Sequence, residues 1–416
     1  MSSGPSLPSL AWRNIWRNGR RTLITLFGIA FGMTLSVLFT GLGDASYADM
    51  IDYGAKMGGG HVAVQHESYL DSPSFKHTVP DTGPIVDDLR RRDDVELVVE
   101  RVSGAGMLAT ASNSVGGFFI AIDPRVENET SLTFANHINQ GEMFTHDDTK
   151  GAIIGATMAE NLGVEIGKKM VLTVTDKDGE IVTALLRVRG TVKTGADAID
   201  GGLCLLPLDP IRELIGYAPN EATQVAIFLD DHRESSALAL ELGASLEAPT
   251  RALTWSEHQP DLAGYVELET RSTLVFEIII MALLAAGIFN TLFVSVMERL
   301  REFGILSALG FSRRQLFSLV MWESLWLAMM GLVGAALLAA WPYYYASTTG
   351  IDYSSFFEAG TEIAGVALLE PRMYVGIYTE HLVQLCLLVV FSCIAAGLYP
   401  AWRAGRVPPA DAIRLN

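Results

Sequence analysis

The chain has 416 residues, half of them hydrophobic, and a mean hydropathy of +0.29. That is too apolar for an ordinary soluble protein and too polar for one built of membrane spans alone, so spans and a soluble domain coexist. A net charge of −17 argues against nucleic acid as a partner, because phosphate binding needs clustered Lys and Arg.

From the N-terminus, residues 1–21 end in an amphipathic stretch at helical period. Ala11, Trp12, Ile15 and Trp16 fall on one arc and Arg13, Arg17, Arg20 and Arg21 on the other. This pattern predicts a helix in the headgroup layer, with indoles at the interface and guanidinium groups toward anionic lipid. A bilayer core about 30 Å thick needs roughly 20 apolar residues to cross. Four segments qualify: 22–43, 273–297, 316–340 and 382–400. The first run is longer than the roughly 7–15 residue core of a signal peptide, so it is expected to stay as a span. Gly28 and Gly32 place a G-x-x-x-G in it, a spacing that permits close helix approach.

Residues 44–271 are enough for one or two domains with their own cores. Residues 170–175 and 181–188 alternate as strands around an Asp-Gly turn, and 61–65, 118–122 and 223–229 are shorter strand candidates. Helical patterns occur at 85–92, 157–162 and 234–246. The expected fold is a membrane protein of four transmembrane α-helices with an α+β extracytoplasmic domain between the first and second, divided into a mixed part and an inserted β-rich subdomain at 116–224.

Lys and Arg in the short flanks set the orientation. Arg13, Arg17, Arg20, Arg21, Arg299, Arg301, Arg313, Arg314, Arg403, Arg406 and Arg414 lie on one side, against Arg372 alone in the loop at 341–381. Both termini, the tail at 401–416 and the loop at 298–315 are therefore expected in the cytoplasm, with 44–271 outside, in the periplasm.

Residues supporting enzyme chemistry are lacking. Gly163 to Lys168 resembles a phosphate loop but is one residue short, and Lys169 stands where a Mg²⁺-binding Ser or Thr belongs; it reads as a turn into a strand. Cys204, Cys386 and Cys393 fit no zinc or redox spacing. His61, His66 and His77 are close in sequence, but scattered surface histidines are commoner than ligands, so no metal is expected. Glu277 and Glu323 lie within spans, where a carboxylate costs about 2.5 kcal/mol or more at the centre. Each either faces a substrate route or is paired with a neighbouring helix, and a helix or Arg contact is the stronger reading for Glu323.

The loop after the second span is the most informative. It is read as a helical continuation of that span. Phe303, Leu306, Leu309 and Gly310 make an apolar ridge, bordered by Glu298, Arg299, Arg301, Glu302 and Arg313, with Gly310 as C-cap. A ridge of this kind displayed in the cytosol suits a groove on another protein.

The stretch 290–324 resembles the FtsX-type permease domain found in lipoprotein-releasing LolC and LolE subunits and in the exporter MacB. The matching residues are Asn290, 296–299, Glu302, Phe303-Gly304-Ile305-Leu306, Ala308-Leu309-Gly310, Glu323 and Ser324. Tyr399-Pro400-Ala401 with 406–414 is similar to that family's closing motif. Ala11-Trp12-Arg13-Asn14 and Arg20-Arg21-Thr22-Leu23 fit its start, and 155–168 its periplasmic domain. The resemblance implies that the 298–315 loop is a coupling helix seated on a cytosolic ATPase dimer that binds ATP and Mg, no cofactor being bound by this chain. It also implies a second permease, a copy or a sibling, and work done in the periplasm. The expected cargo is a lipoprotein passed to a periplasmic carrier. The alternatives are efflux or mechanotransmission with a periplasmic adaptor and, in another class, a membrane-anchored receptor, which has no use for a cytosolic ridge.

Overall fold

The computed structural model describes residues 6–128, 130–353, 362–363, 366–367 and 372–406. In chain order come α1 (Leu7–Ile15), a 3-10 turn at Trp16–Asn18, α2 (Gly19–Met57), β1 (Val62–His66), α3 (Gly83–Leu89), β2 (Val95–Ala109), β3 (Ser114–Ile122) and β4 (Ile138–Gly141). These are followed by β5 (Gly151–Gly155), α4 (Ala156–Leu162), β6 (Lys169–Thr175), β7 (Ile181–Val192), α5 (Asp197–Gly202), β8 (Leu203–Pro207), α6 (Leu208–Leu214) and β9 (Gln224–Leu229). Then come α7 (Ser235–Ser245), β10 (Thr250–Thr254), α8 (Trp255–His258), α9 (Pro260–Glu298), α10 (Leu300–Ala308) and α11 (Arg313–Thr348). The short strands β11 (Ile351–Asp352), β12 (Glu362–Ile363), β13 (Val366–Ala367) and β14 (Arg372–Met373) precede α12 (Thr379–Ala404). The family-like closing residues from Val407 to Arg414 lie outside the described residues.

The chain divides into two compact units: Met1–Ser46 with Leu268–Ile351 and Met373–Asn416, and Tyr47–Glu267 with Asp352–Arg372. Four helices are long and apolar enough to cross a membrane, within Leu7–Met57 and in Pro260–Glu298, Arg313–Thr348 and Thr379–Ala404. Each runs past its apolar window. Hydropathy marks where a helix sits in lipid, whereas helix ends need a breaker. For α2 the breaker is Gly58-Gly59-Gly60. Gly60 has φ +79°, and a β-carbon there would lie 2.7 Å from the Ile227 amide nitrogen. Proline at the first position starts α9 at Pro260, and α11 carries Pro342 within it and continues to Thr348, inside the expected loop.

In the membrane unit Ile29, Met33 and Val37 of α2 pack with Met281, Ile288 and Leu292 of α9, Leu327 of α11, and Leu385, Val389 and Cys393 of α12. Small residues allow close approach: a side chain at Gly331 would meet Ile29, and one at Gly397 would meet Ser324. Of the Gly28 and Gly32 pair, only Gly32 is packed within the chain, with Leu284 in its path, while Gly28 faces open space.

In the second unit the sheet runs β10-β1-β9-β2-β3-β8-β5-β7-β4, and β6 pairs with both β2 and β7. The strands β2-β3-β8-β5-β7-β6 therefore close a ring. Val102, Leu108, Phe119, Ile154, Leu172, Val188 and Cys204 alternate inward and form a core. The β6–β7 hairpin pairs Thr175 with Ile181 across a turn in which Gly179 has φ +95° and the Asp176 carboxylate accepts from the Asp178 and Glu180 amides, each at 2.9 Å. The phosphate-loop look-alike is a turn: Gly163 caps α4 at φ +63° and β6 begins at Lys169. A second core joins Val62, Val64, Val98, Val225 and Ile227 to α3 and α7. The expected division at residue 116 falls inside one continuous sheet, because the 15-residue β2 supplies both cores.

Arg101 on β2 is completely buried with Glu127. Its Nε donates to Glu127 Oε1 at 2.8 Å, Nη1 to the Gly58 carbonyl at 2.6 Å, and Nη2 to the Ser131 carbonyl at 2.6 Å and Glu127 Oε2 at 2.9 Å. One arginine thus fixes the glycine turn that ends α2. Beside it Gln259 Nε2 donates to the Gly54 carbonyl at 2.6 Å, the Trp255 amide to the His61 carbonyl at 2.9 Å, and Val62 opposes Thr254 across β1 and β10.

The histidines do not converge. His61 is buried, and its Nδ1 accepts the Leu229 amide at 3.0 Å, so burial pushes its pKa down to about 4. His66 and His77 stack on each other with ring centroids 4.6 Å apart. Among the described residues no group of three or more His, Cys, Asp or Glu is placed to hold a metal.

Candidate functional site

The site lies at one end of the helical bundle, where α1, the start of α2, the end of α9, α10 and α11 meet. Arg17 and Arg21 are four residues apart, as are Glu298 and Glu302, so each pair projects to one side of its segment. The two pairs mesh as an antiparallel ladder. Arg21 donates through Nη1 and Nη2 to the two oxygens of Glu298, both at 2.8 Å, and Arg17 Nη1 donates to Glu302 Oε2 at 2.7 Å. Hydrogen bonding from the arginines holds the Glu298 and Glu302 carboxyls below the usual carboxylate range.

Arg299 leaves the helical path, with φ −104° and ψ 10°, and turns inward. Its Nη1 donates to Glu323 Oε1 at 3.0 Å, its Nε to Glu302 Oε2 at 3.2 Å, and its guanidinium carbon lies 5.3 Å from the centre of the Phe303 ring. Glu323 Oε1 also accepts Asn14 Nδ2 at 2.9 Å, which brings α1 into the network. Trp326 Nε1 donates to the Pro8 carbonyl at 3.2 Å, and Trp12 meets Trp326 edge to face.

The loop is not a helical continuation of the second span. The backbone breaks at Arg299 and a separate helix, α10, starts there, with the Arg299 guanidinium paired to Glu323. Nor does the ridge stand out whole. Phe303 is fully buried with Ala11, Val296, Leu316, Leu319, Val320 and Ala401, and Leu306 packs against the edge of that cluster. Fully burying a phenylalanine contributes about 1.5–3 kcal/mol, enough to favour packing inward over display. Leu316, Leu319 and Val320 of α11, with Val296, Ala401 and Ala11, supply the surface for this packing, although the loop by itself looks too short to have one.

What α10 leaves exposed is Ile305, Leu309 at 74% and Arg301, with Gly310, Arg313 and Arg314 just beyond. Gly310 has φ +98°, its amide bonds to the Ser307 carbonyl, and the Phe311 amide bonds back to Leu306, which closes α10 with a Schellman turn. Ser312 and Gln315 then form the capping box that opens α11. The short helix is thus fixed at both ends and displays one small apolar face rimmed by arginines.

Among the expected site residues, Glu298, Arg299, Glu302, Phe303 and Glu323 come together, while Leu309, Gly310 and Arg313 lie on the outward side. Glu277 is elsewhere: only 8% exposed, it accepts Thr40 Oγ1 of α2 at 2.7 Å. Gly28 and Gly32 are likewise apart. The partners Asn14, Arg17, Arg21 and Trp326 were not anticipated as such. Matching i, i+4 spacing of opposite charges was the available signal.

Four transmembrane helices, an α+β domain between the first and second, and a short braced helix between the second and third are the layout of an ABC transporter permease. Residues 22–245 match the MacB-like periplasmic core domain and residues 274–409 the FtsX-like permease C-terminal domain. The chain belongs to this FtsX/MacB family of permeases. It is 24% identical to the lipoprotein-releasing system transmembrane protein LolC of Neisseria meningitidis serogroup B, over 95% of this chain and 94% of that one. It is 23% identical to the pyoverdine export ATP-binding/permease protein PvdT of Pseudomonas entomophila, over 97% of this chain and 58% of that one. The crystal structure of the YknZ extracellular domain from Gram-positive bacteria aligns over 46% of this chain and 99% of its own, at 15% identity and a TM-score of 0.32.

Proposed function

We propose that this permease couples ATP hydrolysis by a separate ATPase dimer, which binds ATP and Mg, to work by its α+β domain, and that its cargo is a lipoprotein released from the membrane. The observation that carries the coupling is the division of α10. One face is locked into the bundle by Phe303 and the charge ladder, while Ile305 and Leu309 are presented outward among Arg301, Arg313 and Arg314. A push on that face reaches the 3-10 turn after α1 through Glu302 and Arg17, and α11 through Arg299 and Glu323. Basic flanks orient α10 and both termini toward the cytoplasm and the α+β domain toward the periplasm. There the Arg101 bond to the Gly58 carbonyl ties the end of α2 to β2, and the Gln259 bond to the Gly54 carbonyl ties the start of α9 to α2.

A second permease, a copy or a sibling, is what membership of this permease family suggests. Lipoprotein release is supported by the likeness to LolC along nearly the whole of both chains, with a periplasmic carrier as the receiving partner. Efflux through a periplasmic adaptor is the second reading, favoured by the likeness to PvdT.

Leu309→Glu tests the coupling. The variant should insert and fold normally, because the side chain is exposed, yet lose co-purification with an ABC ATPase from native membranes. Undiminished co-purification, with undiminished substrate-stimulated hydrolysis, would refute the assignment of α10.

A further inference from the structure

Beside the charge ladder a cleft of about 600 Å³ opens between the start of α2 and the end of α9. Arg17, Arg20, Arg21, Thr25, Thr291 and Glu298 line it. Glu302 and Glu298 neutralise Arg17 and Arg21. Arg20 is exposed, and among the described residues no carboxylate pairs with it. The Thr25 and Thr291 hydroxyls meet at 3.1 Å on the floor, each also bonded to its own helix. Ile24 forms the apolar wall, and the exposed Phe27 and Phe31 continue along α2 from there.

A cationic mouth opening onto an exposed apolar helix face has two requirements. Its ligand must carry one compact negative charge, since Glu298 already balances part of the cluster, and must continue into hydrocarbon. A soluble anion meets only the first. We infer that the cleft seats the phosphodiester headgroup of an anionic phospholipid, with Arg20 as its principal cation and the acyl chains along Ile24, Phe27 and Phe31. Arg17 and Arg21 border the same space, so the seated phosphate and the carboxylates of Glu298 and Glu302 draw on common donors. Lipid occupancy would then bear on how firmly α10 is held. The site itself does not depend on the transport reading.

Native mass spectrometry of the full-length protein in detergent, titrated with phosphatidylglycerol, tests this. Arg20→Gln should weaken binding about five-fold, the worth of one arginine at an anionic surface, and Arg20→Lys should restore much of it. Arg13→Gln removes the same charge from an exposed position outside the cleft and should leave binding unchanged; it also controls for folding. Phosphatidylcholine should bind no better to wild type than to Arg20→Gln, and inorganic phosphate should not displace phosphatidylglycerol. Equal losses for Arg13→Gln and Arg20→Gln would reduce the effect to diffuse attraction and overturn the site. Displacement by inorganic phosphate would overturn the lipid as ligand.

Discussion

Each unit of the molecule buries an arginine with a glutamate, and the two pairs are built differently. Arg101 spends its donors on fixed partners: both oxygens of Glu127 and the carbonyls of Gly58 and Ser131. Every acceptor is bound to one rigid sheet and its turns. Arg299 instead shares its partners. Glu323 also receives Asn14, and Glu302 also receives Arg17. The first arrangement fastens a joint. The second lets hydrogen bonds be exchanged among α1, α10 and α11 without leaving a charge bare. Under the proposed coupling, the shared arrangement suits the end of the bundle at which motion starts.

The largest effect should come from the fixed pair. Arg101→Ala leaves Glu127 buried without its cation and should cost about 3–5 kcal/mol, measured by denaturant unfolding. The double replacement Arg101→Met with Glu127→Met should regain much of that loss. If Arg101→Ala were nearly neutral, the two pairs would not differ in kind. At the shared pair, Glu323→Ala strands Arg299, but Glu302 remains within reach. The expected cost is about 2–3 kcal/mol, together with weakened coupling of ATP hydrolysis to transport. A cost equal to that of Arg101→Ala would break the contrast. Arg17→Gln should be the mildest. Its ion pair is exposed and worth under about 1 kcal/mol, so the unfolding midpoint should stay put while amide exchange across 300–308 speeds up. Unchanged exchange would mean that the 3-10 turn at Trp16–Asn18 does not brace α10.

Much of this could be read from the residues. The β6–β7 hairpin was legible because Asp178-Gly179 dictates its turn and both arms alternate. The capping glycine at 310 was legible because only glycine readily supplies positive φ, and Gly163 to Lys168 was legible as a turn. Strand β2 was not. Glu96, Glu100, Arg101, Gly104 and Gly106 interrupt its alternation, as the strand passes from one core to the other and buries an arginine on the way. The break at Arg299 was also illegible from local signals, since neither glycine nor proline stands there, and the Arg299 guanidinium pairs with a carboxylate 24 residues away. Phe303 reads as part of a display surface because the cluster that buries it is gathered from four helices, from Ala11 of α1 to Ala401 of α12.

The register of β1 against β10 has a practical corollary. Val62 and Thr254 are direct partners, so the chain departs for the α+β fold and comes back at points about 5 Å apart. The nearly two hundred intervening residues are also tied to the end of α2, through Arg101 to the Gly58 carbonyl and through the Ile227 carbonyl to the His61 amide. A hairpin spliced across that pair would keep the two chain ends together but would remove the Arg101 bond to Gly58, so a replacement must bring its own clasp for the glycine turn.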